Sequence, residues 1–291
     1  MSCTDPIYAV DLGIKENGMR NIKILPRRLG WLDNYKRLQE RYGSKLLPLP
    51  CGKCLSCKLS KAKEWAVRCT LEASLYDDNC FVTLTYDDDH LPSNHKLNKK
   101  HLQDFIKRLR KVSPFRYFAV GEYGSKTHRP HYHLILFGFN PWDLDQLKSS
   151  KVISKCWTYG NNFVDDCNYL TCQYVARYTT KKLFGKKDDS FLTMSLKPGI
   201  GASWLDAHLK VFERGVIIGT FGEASLPRYF EKLGLLRGLD LSSLKEERLS
   251  KAMSFKIHEL VQHQLESFDE LNVYKQDLVE QQFVNKDRRD L

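Results

Sequence analysis

Between Phe115 and Phe139 the chain reads FRYFAVGEYG, a polar turn SKTHRP, and HYHLILFGF. Two runs rich in aromatic and branched residues, separated by a turn that carries a proline, predict a β-hairpin. Leu134 to Phe137 are all apolar, so the second run predicts a buried strand at the centre of a sheet. The stretch CFVTLTYDDDHLP at 80–92 predicts a further strand, ended by its acidic turn and proline. Helical spacing of apolar residues marks 61–76, 98–112 and 169–185, the last ended by Gly185. The fold class expected from this order is α+β: a central antiparallel β-sheet with flanking helices, a Cys-rich N-terminal segment and a helical C-terminal tail.

The central strand carries an unusual pair. Strand side chains alternate, so His131 and His133 share one face. Two imidazoles so placed can chelate one divalent ion, and Glu122, just before the turn, is the best local carboxylate for a third ligand. Its phase on the partner strand is not fixed by the sequence. A pair of hydrogen-bonded core histidines would give the same spacing.

On the helix at 169–185, Tyr174 and Tyr178 are four apart and stack on one face, with Lys181 and Lys182 bordering it. A tyrosine attacks a phosphodiester when a nearby cation favours the phenolate and a metal polarises the phosphorus. Two tyrosines packing an amphipathic helix are the alternative.

Charge and cysteines narrow the setting. The chain has 46 Lys+Arg against 35 Asp+Glu, a net charge of +11, which favours a polyanionic partner, nucleic acid first. Lys107, Arg108, Arg110, Lys111 and Arg116 crowd the helix at 98–112 and its exit, and Lys53, Lys58, Lys61, Lys63 and Arg68 surround a cysteine loop. Either run is a phosphate track or a solvated face. Tyr117, Tyr123 and Trp157 are candidates for stacking on unpaired bases. Cys51, Cys54 and Cys57 follow C-x₂-C-x₂-C spacing, and a closed zinc site needs a fourth ligand, with Cys3 and Cys69 as candidates. Nine cysteines in a chain this long predict a reducing, intracellular setting. No run reaches the roughly 18 apolar residues of a membrane span, and no secretory signal is visible at the N-terminus.

Taken in order, FVTLTY at 81–86, RPHYHLILFG at 129–138 and YVARYTTKK at 174–182 resemble the three motifs of the HUH endonucleases, the initiators of rolling-circle replication. Tyr132 stands where the family's second motif has a bulky apolar residue. With LPCGKCLSCKLSKAKEWAVRC and KPGIG, the region from about 48 to 230 is similar to the initiators of the gokushovirus branch of the microviruses, small icosahedral single-stranded DNA phages.

The resemblance implies a palm-like antiparallel sheet with the histidines on its central strand and helices on one face. It implies Mg²⁺ or Mn²⁺ on His131, His133 and Glu122, with imidazoles suiting manganese at least as well. One tyrosine would attack the viral origin, single-stranded at the nick, and the other would act when the origin is remade, with Lys181 and Lys182 steadying phosphate or phenolate. No G-x-x-x-x-G-K-[ST] stretch is present, so a host helicase and DNA polymerase are the implied partners, in the host cytoplasm, with no membrane.

Three parts are expected: a basic, Cys-rich segment at 1–75, an endonuclease core at 76–235 and a polar helical tail at 236–291. A zinc-dependent DNA-binding regulator without catalysis remains an alternative. A nucleotide hydrolase with a histidine nucleophile is disfavoured, because it wants a further histidine where Ile135 stands.

Overall fold

The computed structural model describes residues 3–14, 20–26, 34–124, 127–181 and 189–287. The strands are β1 Ile7–Ile14, β2 Arg20–Ile24, β3 Leu46–Leu49, β4 Asn79–Thr85, β5 Arg116–Tyr123, β6 Pro130–Phe137, β7 Asn162–Asp166, β8 Phe191–Met194, β9 Val216–Gly219 and β10 Gly222–Ser225. The helices are α1 Asn34–Tyr42, α2 Leu55–Ala73, α3 Lys99–Leu109, α4 Lys151–Cys156, α5 Tyr169–Lys181, α6 Ala202–Ala207, α7 Val211–Arg214, α8 Arg228–Leu236, α9 Ser242–Gln262 and α10 Phe268–Asp287. The chain forms two compact units, one of Met1–Ser60 with Lys245–Leu291, the other of Lys61–Leu244. No helix among the described residues is long and apolar enough to cross a membrane.

The first unit holds an antiparallel sheet in the order β2-β1-β3. Its strands lack clean alternation, which is why the sequence shows no period there: Tyr8, Ala9 and Val10 are consecutive and all buried, whereas Leu12, Ile22 and Ile24 are exposed. Pro48 lies on edge strand β3, where a missing N–H costs the sheet nothing. The long helices α9 and α10 are joined by an ion pair of Lys275 with Glu259.

The second unit is built on a five-stranded antiparallel sheet, β7-β4-β6-β5-β8, with β6 in the middle. Helices cover both of its faces, where one was expected. Val82, Leu84, Tyr132, Leu134 and Leu136 pack against Leu102, Phe105, Ile106 and Leu109 of α3 and Ile153 of α4. On the opposite face Phe81, Phe118, Ile135 and Phe137 pack with Cys69 of α2 and Cys172 and Val175 of α5. The reason lies in β6 itself: an unbroken apolar run alternates apolar residues to both sides, so both must be covered.

Local chemistry sets the helix limits. Asn98 caps α3 by accepting hydrogen bonds from the N–H groups of Lys100 and His101. Gly160 has φ +150, and a Cβ there would lie 2.3 Å from the Asp87 nitrogen and 2.4 Å from the Thr85 carbonyl oxygen. Only glycine lets this loop close on the end of β4. Across the sheet, Arg116 of β5 forms a 2.6 Å ion pair with Glu72 of α2, which is 1 % exposed. Glu72 also accepts the Gly201 N–H at 2.6 Å. Arg116→Met should therefore lower the unfolding free energy by about 3–5 kcal/mol, because it leaves a buried carboxylate without its cation. Urea denaturation measures this; a loss under about 1 kcal/mol, typical of surface pairs, would contradict the assignment.

Candidate metal and nucleophile site

β5 and β6 pair so that Glu122 lies directly opposite His131, with Val120 opposite His133. The register of the hairpin supplies the phase of Glu122 that the sequence leaves open. Glu122 Oε1 is 3.1 Å from His133 Nε2 and 3.5 Å from His131 Nε2. One donor atom from each of the three side chains lies within 4.8 Å of the others. Glu122 is 3 % exposed and His133 4 %, so the carboxylate sits largely out of water between two imidazoles. A buried carboxylate needs a positive partner. Two nitrogens and an oxygen converging on one point suit a divalent cation of the manganese or magnesium type.

α5 crosses the same sheet face and brings the tyrosines to these ligands. The Tyr174 ring meets the His133 ring edge-on at 5.2 Å between centroids, and the Tyr178 ring stacks on it at 5.1 Å. The Tyr178 hydroxyl donates a hydrogen bond to the Tyr174 hydroxyl. Tyr174 is 42 % exposed, whereas Tyr178 is half-buried, so the two equivalent positions of the helix pattern are unequal in access. Burial pushes both phenols above their ordinary range; the charge of Glu122 adds to this, and Arg177 pulls Tyr174 back. The side chain of Lys181 and the whole of Lys182 lie outside the described residues, as does Gly185.

The intervening Tyr132 points to the other sheet face. It is fully buried, and its hydroxyl is 2.8 Å from that of Tyr86, accepts the Asn98 N–H at 3.0 Å and donates to the Asn98 carbonyl at 2.9 Å. A tyrosine therefore fills an apolar place with its polar end satisfied. Phe81 and Thr83, missed in the sequence reading, also touch the site. Phe81 stacks on His133 at 5.8 Å, and Thr83 Oγ1 is 3.0 Å from His133 Nδ1. Their positions inside FVTLTY were visible, but the strand pairing that brings them to His133 was not.

The basic residues are dispersed. Lys107, Arg110 and Lys111 are exposed, but α3 covers the sheet face opposite the histidines, so the structure does not bring them to the site. Arg108 donates through Nε to the Cys156 carbonyl at 2.8 Å, and Arg116 is held by Glu72 and by the Pro198 carbonyl. Two cations of the cysteine-loop run are not on the surface. Lys58 is buried, and buried Arg68 lies between the rings of Trp65 and Tyr229, 4.0 Å from each centroid. Trp157 is 1 % exposed and donates its indole N–H to the Thr85 carbonyl, so it is a core residue and cannot stack on a base. Tyr117 and Tyr123 are half-buried.

The first unit carries a separate cluster. Cys3, Cys51, Cys54 and Cys57 each place a sulfur within 4.8 Å of the others. Cys69 is not among them; it is fully buried in the apolar core with Phe118 and Ile135. Cys54 ends the loop and caps α2, which starts earlier than the apolar spacing suggests: its sulfur accepts the Cys57 N–H at 3.5 Å. Further N–H groups point at Cys3 and Cys51, with Gly52 in the left-handed region at φ +70 to allow the turn. Cys3 Sγ lies 3.8 Å from Cys54 Sγ. Sulfurs about 2.3 Å from a tetrahedral zinc would be roughly 3.8 Å apart, so this spacing fits such an ion. Burial pushes the Cys3 thiol up and that of Cys57 to about 11. Burial also acts upward on Cys54, but hydrogen bonds from Cys57 and Thr4 outweigh it and bring that thiol down to about 6.

Comparison with known proteins places this geometry in context. The family model for the ORF2-type replication-associated protein matches residues 79–183, which run from β4 through α5 and so include Glu122, both histidines and both tyrosines. The chain is similar to replication-associated protein VP4 of Bdellovibrio phage phiMH2K, 36 % identical over 208 residues, covering 62 % of this chain and 66 % of that protein. It is also similar to replication-associated protein ORF2 of Spiroplasma virus 4, 36 % identical over 214 residues, covering 63 % of this chain and 67 % of that protein. Replication-associated protein ORF4 of Chlamydia phage 1 is 32 % identical over 230 residues, 69 % of this chain and 56 % of the relative. The chain thus spans only about two thirds, or less, of the length of these relatives. No solved structure matches it.

Proposed function

Since the chain belongs to the family of microvirus replication-associated proteins, we propose that it nicks and rejoins viral origin DNA through a tyrosine, initiating rolling-circle replication from an HUH-type sheet. The observation that carries this reading is the contact of two tyrosine rings with a histidine that itself faces Glu122.

Attack by a tyrosine Oη on the scissile phosphorus would form the Tyr–O–P bond and release the 3′-oxygen. The 5′-phosphate stays on the protein and the free 3′-OH primes synthesis. One phosphodiester replaces another, so no ATP is consumed. When the origin is regenerated, the second tyrosine cuts it, and the new 3′-OH attacks the first phosphotyrosine to close a circle. Glu122, His131 and His133 would hold a Mg²⁺ or Mn²⁺ ion, which would polarise the phosphate and offset the carboxylate charge that opposes phenolate formation. Host helicase and polymerase would supply strand opening and synthesis.

Cys3, Cys51, Cys54 and Cys57 would hold a structural zinc, their thiol protons exchanged for the ion. Purified protein is expected to contain about one zinc per chain; Cys54→Ser should lose it and melt at lower temperature. Elemental analysis finding no zinc in freshly reduced, tag-free protein would refute the assignment.

The functional reading is tested by incubating the protein with labelled single-stranded origin DNA and Mn²⁺ and running a denaturing gel. A covalent, protease-sensitive adduct is expected. DNA that is bound in native gels but never covalently attached would favour the zinc-dependent regulator, which leaves the two tyrosines without a task.

A further inference from the structure

We propose that Thr83 is a positioning residue that allows the His133 ring to exchange tautomers when a divalent cation binds, an assignment that rests on the metal reading above. β4 pairs with β6 so that Thr83 is directly opposite His133 on the same sheet face. Its Oγ1 is 3.0 Å from Nδ1, while Nε2 on the other edge of the ring is 3.1 Å from Glu122 Oε1. Phe81 and Tyr178 stack on the two flat faces at 12° and 13° to the ring plane. Both edges and both faces of the ring are occupied, so it cannot turn to present the other nitrogen. His131, whose side chain is 20 % exposed, is less enclosed.

A neutral imidazole has one N–H and one lone pair. Without a cation, the Glu122 carboxylate favours the proton on Nε2, and Nδ1 then accepts the Thr83 O–H. With a cation, Nε2 must offer its lone pair; the proton resides on Nδ1 and is donated to Thr83 Oγ1. A hydroxyl donates or accepts with a small rotation, so the same residue serves both states. A carboxylate at this position could only accept, and a valine could do neither. Partners of this kind fix a ligating ring and raise its basicity, and their loss typically weakens metal affinity about 10–100-fold.

The test uses full-length protein and Mn²⁺ titrations followed by electron paramagnetic resonance. Thr83→Val, nearly isosteric, should bind Mn²⁺ about 10–100-fold more weakly than wild type, and Thr83→Ser should regain most of the affinity. In diamagnetic Mg²⁺, ¹⁵N spectra of the wild type should show the His133 proton on Nδ1. Equal Mn²⁺ affinity of wild type and Thr83→Val, or a loaded ring protonated on Nε2, would overturn the assignment while leaving the metal site intact. Wild-type protein that takes up no Mn²⁺ would overturn the metal reading, and this assignment with it.

Discussion

Replacing His133 with alanine should slow single-turnover cleavage of origin DNA by roughly a thousandfold or more. A bound cation is worth several kcal/mol to phosphoryl transfer, and each 1.4 kcal/mol is a factor of about ten. Removing His133 takes away a ligand and also the ring on which Tyr174 and Tyr178 rest, so added Mn²⁺ should not restore it. His131→Ala should respond differently. That ring is more exposed and touches neither tyrosine through a ring contact among the described residues, so millimolar Mn²⁺ should recover part of the rate. Binding of both variants to duplex DNA should be nearly unchanged, since it rests on many sequence-independent basic contacts. Full cleavage by His133→Ala in the presence of chelator would remove the cation from the account.

The second large effect concerns the tyrosines. The double variant Tyr174→Phe/Tyr178→Phe should form no covalent adduct, whereas each single variant should still form one. The phenyl ring keeps the contacts with His133 and removes only the attacking oxygen. Yields should be unequal: Tyr174 is the more exposed, so Tyr178→Phe should retain more adduct than Tyr174→Phe. Neither single variant should release closed circles over a full replication cycle, because the second cut lacks its nucleophile.

The legible parts of this site were those fixed by local periodicity. A two-residue repeat puts His131 and His133 on one face whatever the strand pairs with, and a four-residue spacing does the same for Tyr174 and Tyr178. The illegible parts depend on pairing between distant segments. Glu122 could be nominated but not phased until the hairpin register was known. Thr83 is 50 residues from His133 and reaches it only through the β4–β6 ladder. The fourth sulfur comes from Cys3, 51 residues from Cys54, while Cys69, nearer in sequence, faces a core. Charged and aromatic residues were the least legible: Arg68 and Trp157 look like surface groups by type and are buried by context. Their polar atoms find partners inside, the guanidinium on Ile200 O and two rings, the indole on Thr85 O. Sequence alone does not show such partners.

The central claim is that α5 supplies the nucleophile. The most direct test is mass-spectrometric mapping of the peptide that carries DNA after the adduct is trapped with a single-stranded origin oligonucleotide and digested. The account predicts DNA on Tyr174 or Tyr178, both within Tyr169–Lys181, and the singly substituted variants should move it wholly to the tyrosine that remains. DNA on a tyrosine outside this helix, or an adduct that survives in the double variant, would contradict it.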